Sequence, residues 1–154
     1  MKILLFQPDI AANFGAALRI SACFDVALEI IEPCGFPLTA RALRRAAMDY
    51  GSAETVKRHV SWDAFLHTFP QNRESHPRRV LMTTKGASSL TSFTFLPDDI
   101  LIFGSESAGV PASVHDNVDA RLFIPMAGDA RSLNLSTSIA ITTFEAKRQA
   151  QYYP

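Results

Sequence analysis

ARLFIPMAGDARSLNLSTSIAITTFEAKRQ, residues 120 to 149, contains the handover on which the fold turns. Its first part, ARLFIPM (120 to 126), is a nearly continuous apolar run of the kind that a parallel sheet buries on both faces. From Ser136 onward, Ile139, Ala140 and Phe144 fall at helical spacing, and Lys147, Arg148 and Gln149 close the segment where cations favour the helix dipole. Between the two, RSLNLS (131 to 136) sets Ser132, Asn134 and Ser136 on alternate positions, with Leu133 and Leu135 directed the other way. A helix cap needs only one such polar residue. Three at period two predict an extended segment that lines something polar on one side and packs its leucines into the core on the other. Such a strand-to-helix junction is where open α/β sheets bind ligands.

Upstream the same rhythm repeats. KILLFQ (2 to 7), ALEIIEP (27 to 33), VLMTT (80 to 84) and ILIFG (100 to 104) read as strands. GAALRISACF (15 to 24), LTARALRRAAMDY (38 to 50) and WDAFLHTF (62 to 69) read as helices, and QNRESHPRR (71 to 79) as an exposed loop. Alternating strands and helices predict an α/β fold with a parallel sheet flanked by helices. With no repeat or linker along 154 residues, a single domain over 1–154 is expected.

Composition excludes several classes of function. Fifteen basic residues balance fifteen acidic ones, so binding of nucleic acid by bulk charge is excluded and any contact must come from local patches. His59, His67, His76 and His115 do not fall at the close spacings of helical or finger-type zinc sites, so no metal is expected. Two cysteines, Cys23 and Cys34, without a signal peptide before them, predict a reduced intracellular protein. The apolar runs are far shorter than a membrane span, so a soluble, cytoplasmic protein with no membrane partner is expected.

Three further stretches carry candidate chemistry. PDIAANFGAALR (8 to 19) follows the first strand but holds only Gly15, which disfavours a dinucleotide fingerprint. Asn13 and Gly15 can simply start a helix there, and Arg19 can be a surface residue. GSESAGVP (104 to 111) ends a buried strand with Gly104 and Gly109, which bring backbone close to a ligand. It is not a Walker loop, having Val110 where lysine is required, nor a nucleophile elbow; a plain turn remains open, yet Glu106 has little structural reason to be there. Arg41, Arg44 and Arg45 share one face of their helix, either as a solvated face or as a phosphate contact.

Taken in order, N-x-G-x-x-x-R in the first loop, IEPCGF, LRRAAMDYG, TTKG, FGSESAGVP, and IPM followed by RSLNLS and a helix ending EAKRQ resemble the SpoU class of the SPOUT RNA methyltransferases. Within that class the chain is most similar to the small tRNA 2′-O-methyltransferases acting on the wobble cytidine or uridine. It departs from them at Phe14, where that group usually has threonine. The resemblance implies a deep trefoil knot over roughly 80–150, a homodimer, and S-adenosylmethionine held without metal. It implies a donor site of Met82, Thr83, Gly104, Glu106, Gly109, Ile124, Met126, Ser132 and Leu133. Arg19 matches the family's catalytic arginine, acting across the dimer, with Asn134 and Ser136 at the reacting end. Asn13, Arg41, Arg44, Arg45 and Ser136 would meet RNA, the partner being a tRNA anticodon stem-loop. Two other readings stay open: methylation of ribosomal RNA by the same fold, and an RNA-binding knot without catalysis.

Overall fold

The strand KILLF shows how the sheet is built. Ile3 and Leu5 point into one hydrophobic cluster and Leu4 into the other, all fully buried, so an unbroken apolar run is what a two-sided sheet requires. In the computed structural model of the chain, residues 1–38, 56–69 and 76–150 are described. Among them the strands are β1 (Lys2–Phe6), β2 (Ala27–Ile31), β3 (Lys57–His59), β4 (Arg79–Met82), β5 (Ser88–Ser89), β6 (Ile100–Phe103) and β7 (Ala120–Phe123). They form one seven-stranded sheet in the order β3-β2-β1-β6-β4-β7-β5, and every pairing is parallel. The chain leaves β1 for β2 on one side and later returns to its other side as β6. That reversal is the switch point at which such sheets open a ligand crevice.

Helices cover both faces. α1 (Ala11–Phe24) and α4 (Leu135–Gln149) lie on one, burying Phe14, Ala17 and Leu18 of the first and Ile139 and Ala146 of the second in a shared cluster. Their far ends meet through Phe24 and Phe144, whose ring centroids are 6.5 Å apart. α2 (Trp62–Thr68) and α3 (Ala112–His115) lie on the other face, where Trp62, Phe65 and Val114 pack on Leu4, Leu81 and Ile102. α1 ends at Asp25 in the left-handed region, φ 49°, and Val26 N–H reaches back to Ser21 O at 3.0 Å, which satisfies the last carbonyls.

The alternation read from sequence holds, with corrections at its edges. α1 starts at Ala11, not Gly15, so Asn13 and Phe14 belong to its first turn and the whole motif from Asn13 to Arg19, grouped with the first loop, lies on the helix. α4 starts at Leu135, one residue before Ser136. Arg79, read as the end of an exposed loop, opens β4 and is 1 % exposed, its Nη1 donating to Asn117 O at 3.0 Å and its Nη2 to Phe69 O. The edge strand β3 was missed because KRH has no apolar alternation to reveal it. The segment read as a helix over 38 to 50, apart from Leu38, lies outside the described residues.

β3 is held partly by charge. Glu29, 4 % exposed in the middle of β2, accepts from Lys2 Nζ at 2.9 Å and His59 Nε2 at 2.6 Å. Burial pushes its carboxyl up, but the hydrogen bonds from Lys2 and His59 outweigh burial and hold it below the ordinary value of 4.5. A carboxyl lowered by folding contributes stability above its unfolded value, and that contribution disappears as pH falls through the folded one. Glu29→Gln is expected to lose about 3 kcal/mol at neutral pH and to flatten the fall in stability below the 4.5 of an unfolded glutamate, as urea unfolding over a pH series will measure.

Candidate functional site

The carboxyl ends of β6, β4 and β7 are neighbours in the sheet, and the loops after β6 and β4 are fixed by backbone fit. After β6, Ser105 and Gly109 exchange both backbone hydrogen bonds, at 3.0 and 2.9 Å, and Gly109 takes φ +68° to close the turn. A Cβ on Gly104 would come within 2.6 Å of the Gly109 carbonyl carbon, so that position has no room for a side chain. After β4, Thr83 N–H donates to Leu122 O at 2.8 Å and Ala87 N–H to Arg121 O at 3.0 Å, binding this loop to β7. Gly86 lies so close that its Cβ would be 2.5 Å from the Leu122 carbonyl carbon.

The closed turn after β6 aims Glu106 at the start of α1. One carboxylate oxygen accepts from Asp9 N–H at 2.8 Å and the other from Asn13 Nδ2 at 2.8 Å. Ile10, the N-cap of α1, supplies no side-chain cap, and a carboxylate beside a helix N-terminus is favourable. Glu106 therefore has the structural reason that its sequence context did not reveal. Asp9 in turn accepts from the Ser107 hydroxyl and, at 3.0 Å, from its backbone N–H, bonds that hold the Asp9 carboxyl below its usual range.

From Asn13 the network continues into the last helix. Asn13 Oδ1 accepts from Asn134 Nδ2 at 3.1 Å, while Asn134 Oδ1 accepts from Ser136 N–H at 2.8 Å and Ser136 Oγ at 2.7 Å. Asn134 is thus the N-cap of α4. This corrects the expectation that RSLNLS is extended throughout: only 131 to 134 precede the helix, because a cap at Asn134 satisfies the first orphan N–H groups of α4. Leu133, expected to pack inward, is 37 % exposed, and Leu135 alone of the two packs against the core.

These loops enclose a cavity of about 800 Å3. Met82 and Thr83 line it from the end of β4, Gly104, Glu106 and Gly109 from the turn after β6. Ile124, Met126, Ser132 and Leu133 line it from the segment after β7, and Asn13 and Asn134 stand at the side of α1 and α4. Ser136 lies in the first turn of α4, outside the lining, and Arg19 is exposed on α1, six residues beyond Asn13 and also outside it. Arg41, Arg44 and Arg45 lie outside the described residues. Ile10, Lys85, His115 and Arg131 line the cavity without having been singled out. For Lys85 and Arg131 a signal existed, a cation in a strand-end loop; for His115 there was none, since only the packing of α3 places it there. Among the described residues no group of three or more histidine, cysteine, aspartate or glutamate side chains could hold a metal ion, and no helix is long and apolar enough to cross a membrane.

The pattern of the SpoU rRNA Methylase family matches residues 1–144. A tRNA (cytidine(34)-2′-O)-methyltransferase of Beijerinckia indica subsp. indica is 48% identical over 147 residues, covering 96% of this chain and 90% of that protein. One of the same description from Escherichia coli strain K12 is 38% identical over 154 residues, covering 99% and 95%. A solved structure described as "Structural insights into the 2-OH methylation of C/U34 on tRNA" superimposes with a TM-score of 0.88 at 35% identity, covering 99% of this chain and 97% of that one. Matched along nearly its whole length in sequence and in fold, the chain belongs to the SpoU rRNA methylase family.

Proposed function

We propose that this protein transfers a methyl group from S-adenosylmethionine to the ribose 2′-hydroxyl of the wobble nucleotide, cytidine or uridine, of tRNA. The observation that carries this reading is the cavity itself, to which three strand-end loops contribute and at one side of which Asn13 and Asn134 are bonded together. Its volume of about 800 Å3 suits a nucleoside-sized ligand, and its mixture of apolar side chains with close backbone is the usual lining of a cofactor site. Relatives sharing 38 to 48% identity carry the corresponding name.

Met82, Ile124, Met126 and Leu133 would hold the adenosine part of the donor by apolar contact, beside Thr83 and Ser132. Gly104 and Gly109 keep backbone, rather than side chain, against it. Bound there, S-adenosylmethionine supplies a methyl group activated by its sulfonium. The protein's task is to bring the 2′-oxygen in line with that carbon and to stabilise the charge that develops on the oxygen. Alignment alone contributes roughly 7 to 11 kcal/mol. Glu106 acts by holding Asn13 and the start of α1, and Asn134 by holding the start of α4, so that these two walls keep a fixed separation.

Arg19 is the residue we assign to the reacting oxygen and its neighbouring phosphate. Its place on the exposed side of α1, outside the cavity lining of its own chain, supports a role at the cavity of a second copy. We therefore infer a homodimer, with a tRNA anticodon stem-loop meeting Asn13, Ser136 and the Arg41, Arg44 and Arg45 segment. We also infer that residues 1–154 form a single domain and that roughly 80–150 thread a trefoil knot. In support, β4 lies between β6 and β7 although it precedes both, and the loops after all three strands line one cavity. The reaction belongs in the cytoplasm, where tRNA is.

Single-turnover methylation of tRNA with labelled donor, followed by mapping of the product nucleotide, tests the reading. Arg19→Ala is expected to lower the rate about 10²- to 10³-fold, as loss of a preorganised donor does, while calorimetry with S-adenosylhomocysteine finds its affinity unchanged. Gly104→Ala is expected to weaken that affinity about tenfold, because its Cβ has to displace the turn backbone. Sedimentation of a fully active monomer at assay concentration would exclude the role across the dimer.

A further inference from the structure

The donor does not account for every charge that faces the cavity. Among the described residues its lining has three charged side chains, Lys85, Glu106 and Arg131, together with the imidazole of His115. Both oxygens of Glu106 are turned to Asp9 N–H and Asn13. Lys85 and Arg131 are exposed, and neither forms an ion pair with another described residue. S-adenosylmethionine carries a sulfonium and an ammonium against one carboxylate, a net positive charge. Two cations beside it oppose donor binding, so they answer to an anion that arrives with the other substrate.

Lys85 stands on anchored backbone, and Arg131 on the segment that leads into the cap of α4. Lys85 precedes Gly86, whose contact with the Leu122 backbone leaves no room for a Cβ, and its own N–H donates to Thr83 Oγ1 at 3.2 Å. Arg131 lies three residues before Asn134, which is tied to Asn13 at 3.1 Å. They reach the same cavity from two loops on adjacent strands, β4 and β7. On a chain whose charges balance as a whole, fifteen against fifteen, this is a local patch of the kind a phosphate contact needs.

We infer that Lys85 and Arg131 bind backbone phosphate of the RNA next to the methylated ribose, and so position the 2′-hydroxyl over the donor cavity. The inference rests on the methyltransferase reading given above. Phosphate contacts set register and orientation without reading base identity. A pair of this kind accommodates cytidine and uridine alike.

The test measures binding of a fluorescent anticodon stem-loop RNA over a range of salt, beside calorimetry with S-adenosylhomocysteine, for Lys85→Gln, Arg131→Gln and the double variant. Each contact with a single-stranded phosphate contributes about 0.7 to the slope of log affinity against log salt, so the double variant is expected to lose about 1.4. Affinity for the stem-loop should fall about tenfold at moderate salt, with affinity for S-adenosylhomocysteine unchanged. Lys85→Arg and Arg131→Lys should keep the wild-type slope, which a merely structural role would not predict. An unchanged slope in the double variant overturns the inference. So does a parallel loss of affinity for S-adenosylhomocysteine, which would assign the two cations to the donor's carboxylate. Failure of the wild-type protein to methylate any tRNA would instead overturn the methyltransferase reading, and the slopes would still decide the phosphate contacts.

Discussion

The Glu106 carboxylate joins parts of the chain that are almost a hundred residues apart. By accepting from Asp9 N–H and Asn13 Nδ2 it binds the turn after β6 to the start of α1. Through Asn13 it also fixes the amide of Asn134 and hence the start of α4. Asn13 is 8 % exposed, and an amide so buried without partners would cost about 1 to 3 kcal/mol. Its Oδ1 and Nδ2 are instead each engaged by a single partner. The consequence is a wall of the cavity that is preorganised rather than assembled on binding.

Backbone approach supplies the opposite kind of constraint. At Gly86 and Gly104 two main-chain segments meet with no room for a methyl group between them. Hydrogen bonds place the Glu106 side of the site, while steric fit places the loops after β4 and β6. A site formed from loops alone would be loose; here each loop is tied to a strand or a helix that has its own buried face. The exposed positions left on these loops, Lys85 and Arg131 among them, are then charges at defined places on a molecule with no net charge.

Much of the frame was legible in the residues. Unbroken runs such as ILIF and VLM mark strands covered on both faces; of Ile139, Ala140 and Phe144, which marked the last helix, Ile139 is buried but Phe144 is 49 % exposed, and the buried Ala146 was not singled out. The residues GSESAGVP and RSLNLS stood out as candidate site segments because they gather polar groups and glycines at strand ends, and residues of both line the cavity. The edge strand β3 was not legible: its residues KRH pair with β2 through backbone and through Glu29, a partner remote in sequence. Nor was the start of α1 at Ala11, since its first turn is braced by Glu106 and by the burial of Phe14 against Phe36 rather than by a local cap.

The central buried strands, the long first and last helices, the two-sided sheet and the glycines at the turns follow from the sequence by itself, because hydrophobic period and local turn chemistry act over a few residues; the family follows from the order of its motifs. Which polar groups meet does not. Asn134 is both a helix cap and a partner of Asn13, Glu106 braces a helix it does not belong to, and Leu133 lines the cavity, partly exposed, while Leu135 packs against the core. Arg19, grouped with the first loop by its motif, stands on a helix face outside its own cavity. Those outcomes depend on how the strand ends are juxtaposed, and only the packing of the whole sheet sets the distances over which a hydrogen bond or a charge can act.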